Sequence, residues 1–246
     1  MQDLVLYCNC FPGHEPRHQQ AQQRALMCHA HSLSNEQRCN LTQRGFFFDD
    51  QGNNISQDNR WLGDLTGLYW VWQNTHDEWV GTNQYRRFYN EPDLYHLTKS
   101  EHTLWIANWV GFRNSNDQLV SIAEQYASCH GRIGLDILHE AASKKAIGIP
   151  VHMVESMTLI QHLSPCNMFF GHRQIFSKVC DILFDVIFEL YSGAKYALPY
   201  IQPNNQTRML AFLAERVLSL IYHNHRYFFG TVNIIPVPYY THVQRP

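Results

Sequence analysis

Residues 63–88 read GDLTGLYWVWQNTHDEWVGTNQYRRF, and the two halves of this stretch follow different periodicities. Leu62, Leu65, Leu68, Tyr69 and Trp72 recur at spacings of three and four, which lays one broad apolar stripe along a helix. Asp58 and Asn59 are suitable caps, so the pattern predicts a helix from Asn59 that Asn74 terminates. Glu78 to Asn83, EWVGTN, then reads as a short strand that opens into Gln84-Tyr85-Arg86-Arg87. A helix followed by a strand with a polar far end is a unit of an α/β sheet. Ligands bind to such sheets at the rim where strand ends meet loops and helix termini.

The alternation continues on both sides. Asp3 to Cys10, with the run LVLYCNC, reads as a buried first strand stopped by Phe11-Pro12-Gly13. The polar stretch His14 to Arg24 is a helix or a loop, and GFFFDD leads into the turn-forming Gln51-Gly52-Asn53-Asn54. Further strands are expected over Thr103–Val110, Cys166–Gly171 and Tyr227–Val237. Helices are expected over Leu119–Ala142 (in two pieces broken at Gly131 and Gly134), Ile175–Leu190 and Gln206–His223, with a long loop over Ser192–Asn205. The expected fold is α/β: one domain over residues 1–246, with a mixed, mostly parallel sheet flanked by helices.

Composition narrows the function. The hydrophobic fraction of 45% excludes wholesale disorder. A formal net charge of −2 gives no long-range field to collect a polyanion, so nucleic acid is not an expected partner. Seven cysteines, an odd number without CxxC spacing, read as reduced thiols. The N-terminus carries an acidic residue and too short an apolar run for a signal peptide, and no stretch approaches the ~20 apolar residues of a membrane span. A cytoplasmic bacterial protein is expected, and a folded effector exported by a specialised machine would read the same. The P-loop, GxGxxG and GxSxG signatures do not occur, which removes support for NTPase, dinucleotide and hydrolase readings.

Several short motifs resemble those of one bacterial family. Asp64 with LTGLYWVWQN and EWVGTNQYRRFY is similar to the ELTALYWxWKN…YVGLxHYRRYF motif of a glycosyltransferase-like family of unknown function from capsule and exopolysaccharide gene clusters. Upstream, residues 49–56 resemble its DDxGDNIS turn. Downstream, Glu124-Gln125-Tyr126 with His130 resembles its EQYxxxH element, and Cys166-Asn167-Met168-Phe169 its YNMF strand. Arg208 with Ala214-Glu215-Arg216 resembles its R…FxAERL helix. Asp64 stands where the family has glutamate, Gln84 where it has histidine, and Cys-Asn-Cys ends the first strand in place of Thr-His.

The resemblance implies the nucleotide-sugar-binding (GT-A) fold and transfer of a sugar, a UDP-sugar first among donors, to a saccharide or protein acceptor. Such chemistry needs cations for the departing diphosphate, a carboxylate base, and planar polar groups for hydroxyls. Arg86, Arg87 and Arg208 are the phosphate candidates, and Asp64, Asp50 and Glu215 the candidate catalytic carboxylates. Asp49, Asn53, Asn54, Gln84, Tyr85 and Asn167 are candidate substrate contacts.

Each has a structural alternative. Glu215-Arg216 also reads as a buried ion pair, Asn53-Asn54 as a turn, Asn167 as a core amide, and Tyr69, Trp70 and Trp72 as scaffold. No Asp-x-Asp motif occurs, so no metal ligand is assigned; manganese or magnesium enters only as a cofactor the resemblance implies. The histidine pairs His29/His31 and His223/His225 invite a metal reading on a strand, where residues two apart share a face, whereas on a helix they diverge by about 200°. Two further readings stay open: a catalytically silent glycan- or protein-binding module, and a transferase of phosphate-linked groups in polysaccharide assembly.

Overall fold

A computed structural model describes residues 1, 3–15, 21–194 and 205–241. The loop expected over Ser192–Asn205 therefore lies mostly outside the described residues, as does the middle of His14–Arg24. In chain order the strands are β1 (Leu4–Cys10), β2 (Gln23–Met27), β3 (Phe47–Phe48), β4 (Trp79–Gln84), β5 (Arg87–Tyr89), β6 (Thr103–Ala107), β7 (Val110–Arg113), β8 (Leu119–Val120), β9 (His162–Leu163), β10 (Phe169–His172), β11 (Asn233–Val237) and β12 (Tyr239–Thr241). The helices are α1 (Asn35–Gln43), α2 (Asn59–Leu62), α3 (Leu65–Asn74), α4 (Glu91–Tyr95), α5 (Ile122–His130), α6 (Ile133–Ser143), α7 (Val151–Ser156), α8 (Arg173–Ala194), α9 (Met209–His223) and α10 (His225–Phe229).

The main sheet runs β11-β6-β10-β4-β1-β2-β3. β4, β1, β2 and β3 are mutually parallel, as are β11 and β6, while β10 lies antiparallel between β4 and β6. This is the expected mixed, mostly parallel sheet. Phe170 and Gly81 pair across β10 and β4, where the backbone packs so closely that a Cβ on Gly81 would lie 2.2 Å from that of Phe170.

The largest apolar cluster joins one sheet face to α3, α8 and α9. The aromatic half of the opening stretch belongs to it: Trp72 stacks on Phe184 of α8 at 5.5 Å and 2°, and Tyr69 meets the same ring edge-on. A second cluster on the opposite face includes Leu4, Trp79, Tyr89, Trp105, Cys166 and Val237. All seven cysteines are free thiols, and among the described residues no helix is long and apolar enough to cross a membrane.

Several expected boundaries shift for local reasons. The strand read over Thr103–Val110 stops at Ala107 because the Asn108 side chain accepts the Trp109 amide at 3.0 Å, and β7 begins afresh at Val110. The strand read from Tyr227 starts only at Asn233, since residues 225–229 coil into α10 before a left-handed Gly230. Gly131 does break the helical stretch after α5, but Gly134 lies inside α6, where a Cβ would collide with the Tyr126 hydroxyl at 2.3 Å. β2 starts at Gln23, in the last two residues of the stretch read as helix or loop, and runs on to Met27 because Leu6 to Cys10 supply it with a parallel partner.

Candidate active site

The helix expected from Asn59 is broken. Gly63 has φ 54° and ψ −129°, a conformation closed to residues with a side chain, and it divides α2 from α3. The Asn59 side chain holds the kink by donating to the Gly63 carbonyl at 2.7 Å. Asp64, next in the chain, makes no cap for α3. Its carboxylate turns instead into a cleft, where it accepts from Gln84 Nε2 at 2.7 Å and from Asn167 Nδ2 at 3.3 Å.

β4 delivers the opposite wall. Gln84 pairs with Arg87 at the start of β5, so Tyr85 and Arg86 form a tight turn, anchored by the Tyr85 amide on the Asn9 carbonyl at 3.0 Å. The Arg86 guanidinium lies over the Tyr85 ring at 5.0 Å. The floor comes from Cys166 and Asn167, which are not yet strand: both have positive φ, 75° and 51°, before β10 begins at Phe169. The turn is held by the Gln84 side chain donating to the Cys166 carbonyl at 2.9 Å and by Glu215 Oε1 accepting the Cys166 amide at 2.8 Å.

Glu215 pairs with the buried Arg216 at 2.7 Å, and it lines the cleft. Arg216 in turn is gripped by Gln125 and the Phe212 carbonyl and lies over the Tyr126 ring at 5.5 Å. His130 stacks on Phe212 at 4.1 Å and 11°. The Gln125-Tyr126…His130 element therefore acts on the cleft indirectly, by clamping the helix that carries Glu215.

Together Phe11, His14, Gly63, Asp64, Gln84, Tyr85, Arg86, Arg87, Asn167, Arg208, Ala211, Phe212 and Glu215 enclose about 270 Å³ at the carboxyl ends of β1 and β4. Arg208, just before α9, places its guanidinium over the Phe11 ring at 5.5 Å. Burial raises the Asp64 carboxyl to about 6 and the Glu215 charge adds to the rise, while hydrogen bonds from Asn167 and Gln84 oppose it. Asp64 is thus a carboxylate of raised proton affinity in a cleft that three arginines also line.

The structure separates the remaining expected site residues from this cleft. Asp49 is fully buried and accepts four bonds, from the amides of His29 and Ala30 and the hydroxyls of Ser56 and Thr66, at 2.6–3.1 Å. Asp50 is paired with Arg38. Asn53 and Asn74 exchange bonds at 2.9 and 2.8 Å, and Asn54 donates to the Gly52 carbonyl at 2.9 Å. His29 and His31 touch edge to face at 4.5 Å, yet among the described residues no three His, Cys, Asp or Glu side chains are grouped to hold a metal ion.

The sequence reading missed Phe11 and His14. They flank a turn in which Pro12 precedes Gly13 at φ 78°, bridge to each other, and set the His14 ring 5.3 Å from that of Tyr85. The Pro-Gly pair marked a strand end, and nothing in its spacing tied it to Tyr85.

The family described as "Domain of unknown function (DUF4422)" matches residues 15–226. The chain belongs to this family. No curated protein matches this DUF4422 chain in sequence. Among solved structures, the apo form of the bifunctional glycosyltransferase WbbM superposes with a TM-score of 0.67 at 18% identity, over 98% of this chain and 45% of that one. The DUF4422 chain therefore has the fold of part of that protein and spans less than half its length.

Proposed function

We propose that this cleft transfers a sugar from a nucleotide-sugar donor, a UDP-sugar first, to a hydroxyl of a saccharide or protein acceptor. The observation that carries the reading is the meeting of Arg86, Arg87 and Arg208 around Asp64 and Glu215 at the ends of parallel strands. The fold shared with a protein titled a glycosyltransferase supports it.

In a direct displacement the acceptor oxygen bonds to the anomeric carbon as the bond from that carbon to the donor phosphate breaks. The electron pair leaves on the diphosphate, and the acceptor proton goes to the Asp64 carboxylate. The guanidinium groups meet the charge that grows on the diphosphate. Glu215, already engaged by Arg216 and the Cys166 amide, orients the floor and holds up the proton affinity of Asp64.

The donor set suits a divalent cation poorly. Asp64 accepts N–H bonds from Gln84 and Asn167, and Glu215 from Cys166 and Arg216, so N–H donors already claim both carboxylates. The reaction written here passes no step through a metal.

Calorimetry with UDP-, GDP- and CDP-sugars, with and without manganese, tests the reading. Micromolar binding of one donor followed by its turnover supports it, and binding of none of them sinks it. Tight binding with no donor cleavage over long incubation would favour a silent binding module, for which Gln84 in place of an ionisable histidine is the supporting feature.

A further inference from the structure

The family match ends at residue 226, yet two strands beyond it reach the cleft region. β11 extends the main sheet beside β6. After one residue the chain turns into β12, which pairs antiparallel with β5: Tyr239 with Tyr89, Tyr240 with Phe88, and Thr241 with Arg87. On its other side β5 holds β4 through the single pair Gln84 with Arg87. In the ladder, the strand that begins with Arg87 is paired with β4 at one position and with β12 at three; Tyr89 at its far end also donates its amide to Asn83 Oδ1 at 3.2 Å and its hydroxyl to the Met168 carbonyl at 2.9 Å.

The side chains repeat the pattern. Val237 is buried in the cluster that contains Cys166, Met168 and Tyr89, and Tyr239 packs against that cluster. Phe88 and Tyr240 stack at 6.2 Å and 29°. Arg87 donates to the side-chain amide oxygen of Gln84, on the cleft wall, at 3.4 Å. Tyr239 sits across from Tyr89 in the ladder and packs on the cluster that holds Cys166, and burial raises its phenol. Arg87 lines the cleft, and the strand that carries it is backed by β12, with Thr241 opposite Arg87 and Tyr239 opposite Tyr89.

We propose that β12 is part of the anion-binding apparatus of the cleft, fixing Arg87 against it, with Tyr239 as the positioning residue. The proposal rests on the reading of the cleft as a diphosphate site. It assigns a functional duty to a segment outside the family match and sets the orientation of one guanidinium, which needs a fixed fork to grip phosphate oxygens.

The test is a mutant cycle read by calorimetry with UDP and inorganic pyrophosphate as probes. Removing residues 238–246 is expected to weaken both probes about tenfold, as Arg87→Ala does, and the two changes together to cost no more than either alone. The deletion combined with Arg208→Ala is expected to be additive. Tyr239→Ala, which keeps the strand, gives the same comparison should the deletion lower the melting temperature below that of the assay. Unchanged affinity in both variants, or a loss that adds in full to that of Arg87→Ala, overturns the proposal and leaves the diphosphate reading standing. A wild-type chain that binds neither probe overturns both.

Discussion

Two acidic clusters lie close together in the chain, and they do opposite things. Around Asp49, four donors from inside the protein converge on one buried carboxylate. Around Asp64 there are only two side-chain donors, Gln84 at 2.7 Å and Asn167 at 3.3 Å, one side opens on a cleft, and a second carboxylate stands near enough to raise its proton affinity. The first arrangement is complete without a ligand and therefore holds the 49–56 turn against α3. The second is electrostatically unfinished, which is the state in which a group can still act on something else. Thr66 and Gly63 link the two, since the Thr66 hydroxyl binds Asp49 while the residue before Asp64 makes the kink.

The largest effect that would break the comparison is at Asp64. Asp64→Asn is expected to lower kcat/KM by about 10²–10⁴-fold, the range for loss of a general base, in a steady-state donor-turnover assay. The same change should raise stability by about 1 kcal/mol at neutral pH, a figure discounted because the group opens on solvent. The sign follows from the raised carboxyl. The folded state holds its proton from about pH 4 up to about 6 while the unfolded chain has already lost it, so stability falls across that window, and Asn abolishes the fall. Because a base must be ionised, wild-type kcat/KM should climb as pH rises through about 6 and flatten above it. A flat profile there would remove Asp64 from the chemistry.

Asp49→Ala should do the reverse, leaving four buried donors unanswered. A loss of about 3–5 kcal/mol in urea unfolding is expected, with any loss of activity explained by the unfolded fraction. Arg208→Ala comes next: UDP affinity should fall about tenfold with no change in melting temperature, as for loss of a charge-assisted contact at an exposed site. Asn53→Ala is the smallest, about 0.5–1 kcal/mol of stability for two exposed side-chain bonds, with Gln73 and Tyr69, and no change in kcat/KM. An activity loss there that exceeded the stability loss would return the turn to the site.

The aromatic stripe of α3, the strand after it and the polar turn were legible because each rests on local periodicity. So was the grouping of Asp64 with Tyr85, Arg86 and Arg87, which are neighbours across one helix-strand unit. The kink at Gly63 was not, because a glycine next to a helical pattern reads as a weak position in a continuous helix, and only the docked α9 shows why the chain bends. Asn167 was read as a strand amide, since φ 51° at a non-glycine residue leaves no mark in hydropathy. The duty of Gln84 was likewise invisible: it replaces an ionisable histidine with a neutral amide that donates to both Asp64 and the Cys166 carbonyl. Phe11, His14 and β12 needed the tertiary fold, because their partners are remote in sequence.

That remoteness has a kinetic side. The cleft is assembled from segments near residues 11, 64, 85, 167 and 212, and the bond from Asn167 to Asp64 alone closes a loop of 103 residues. β1 must also find β4 in parallel, Leu4 beside Trp79, before the rim exists. Such contacts form late and slowly in a folding chain, since loop entropy is spent before they return any stability. A newly made chain therefore passes most of its folding time without a binding site, and a ligand can reward only the finished molecule.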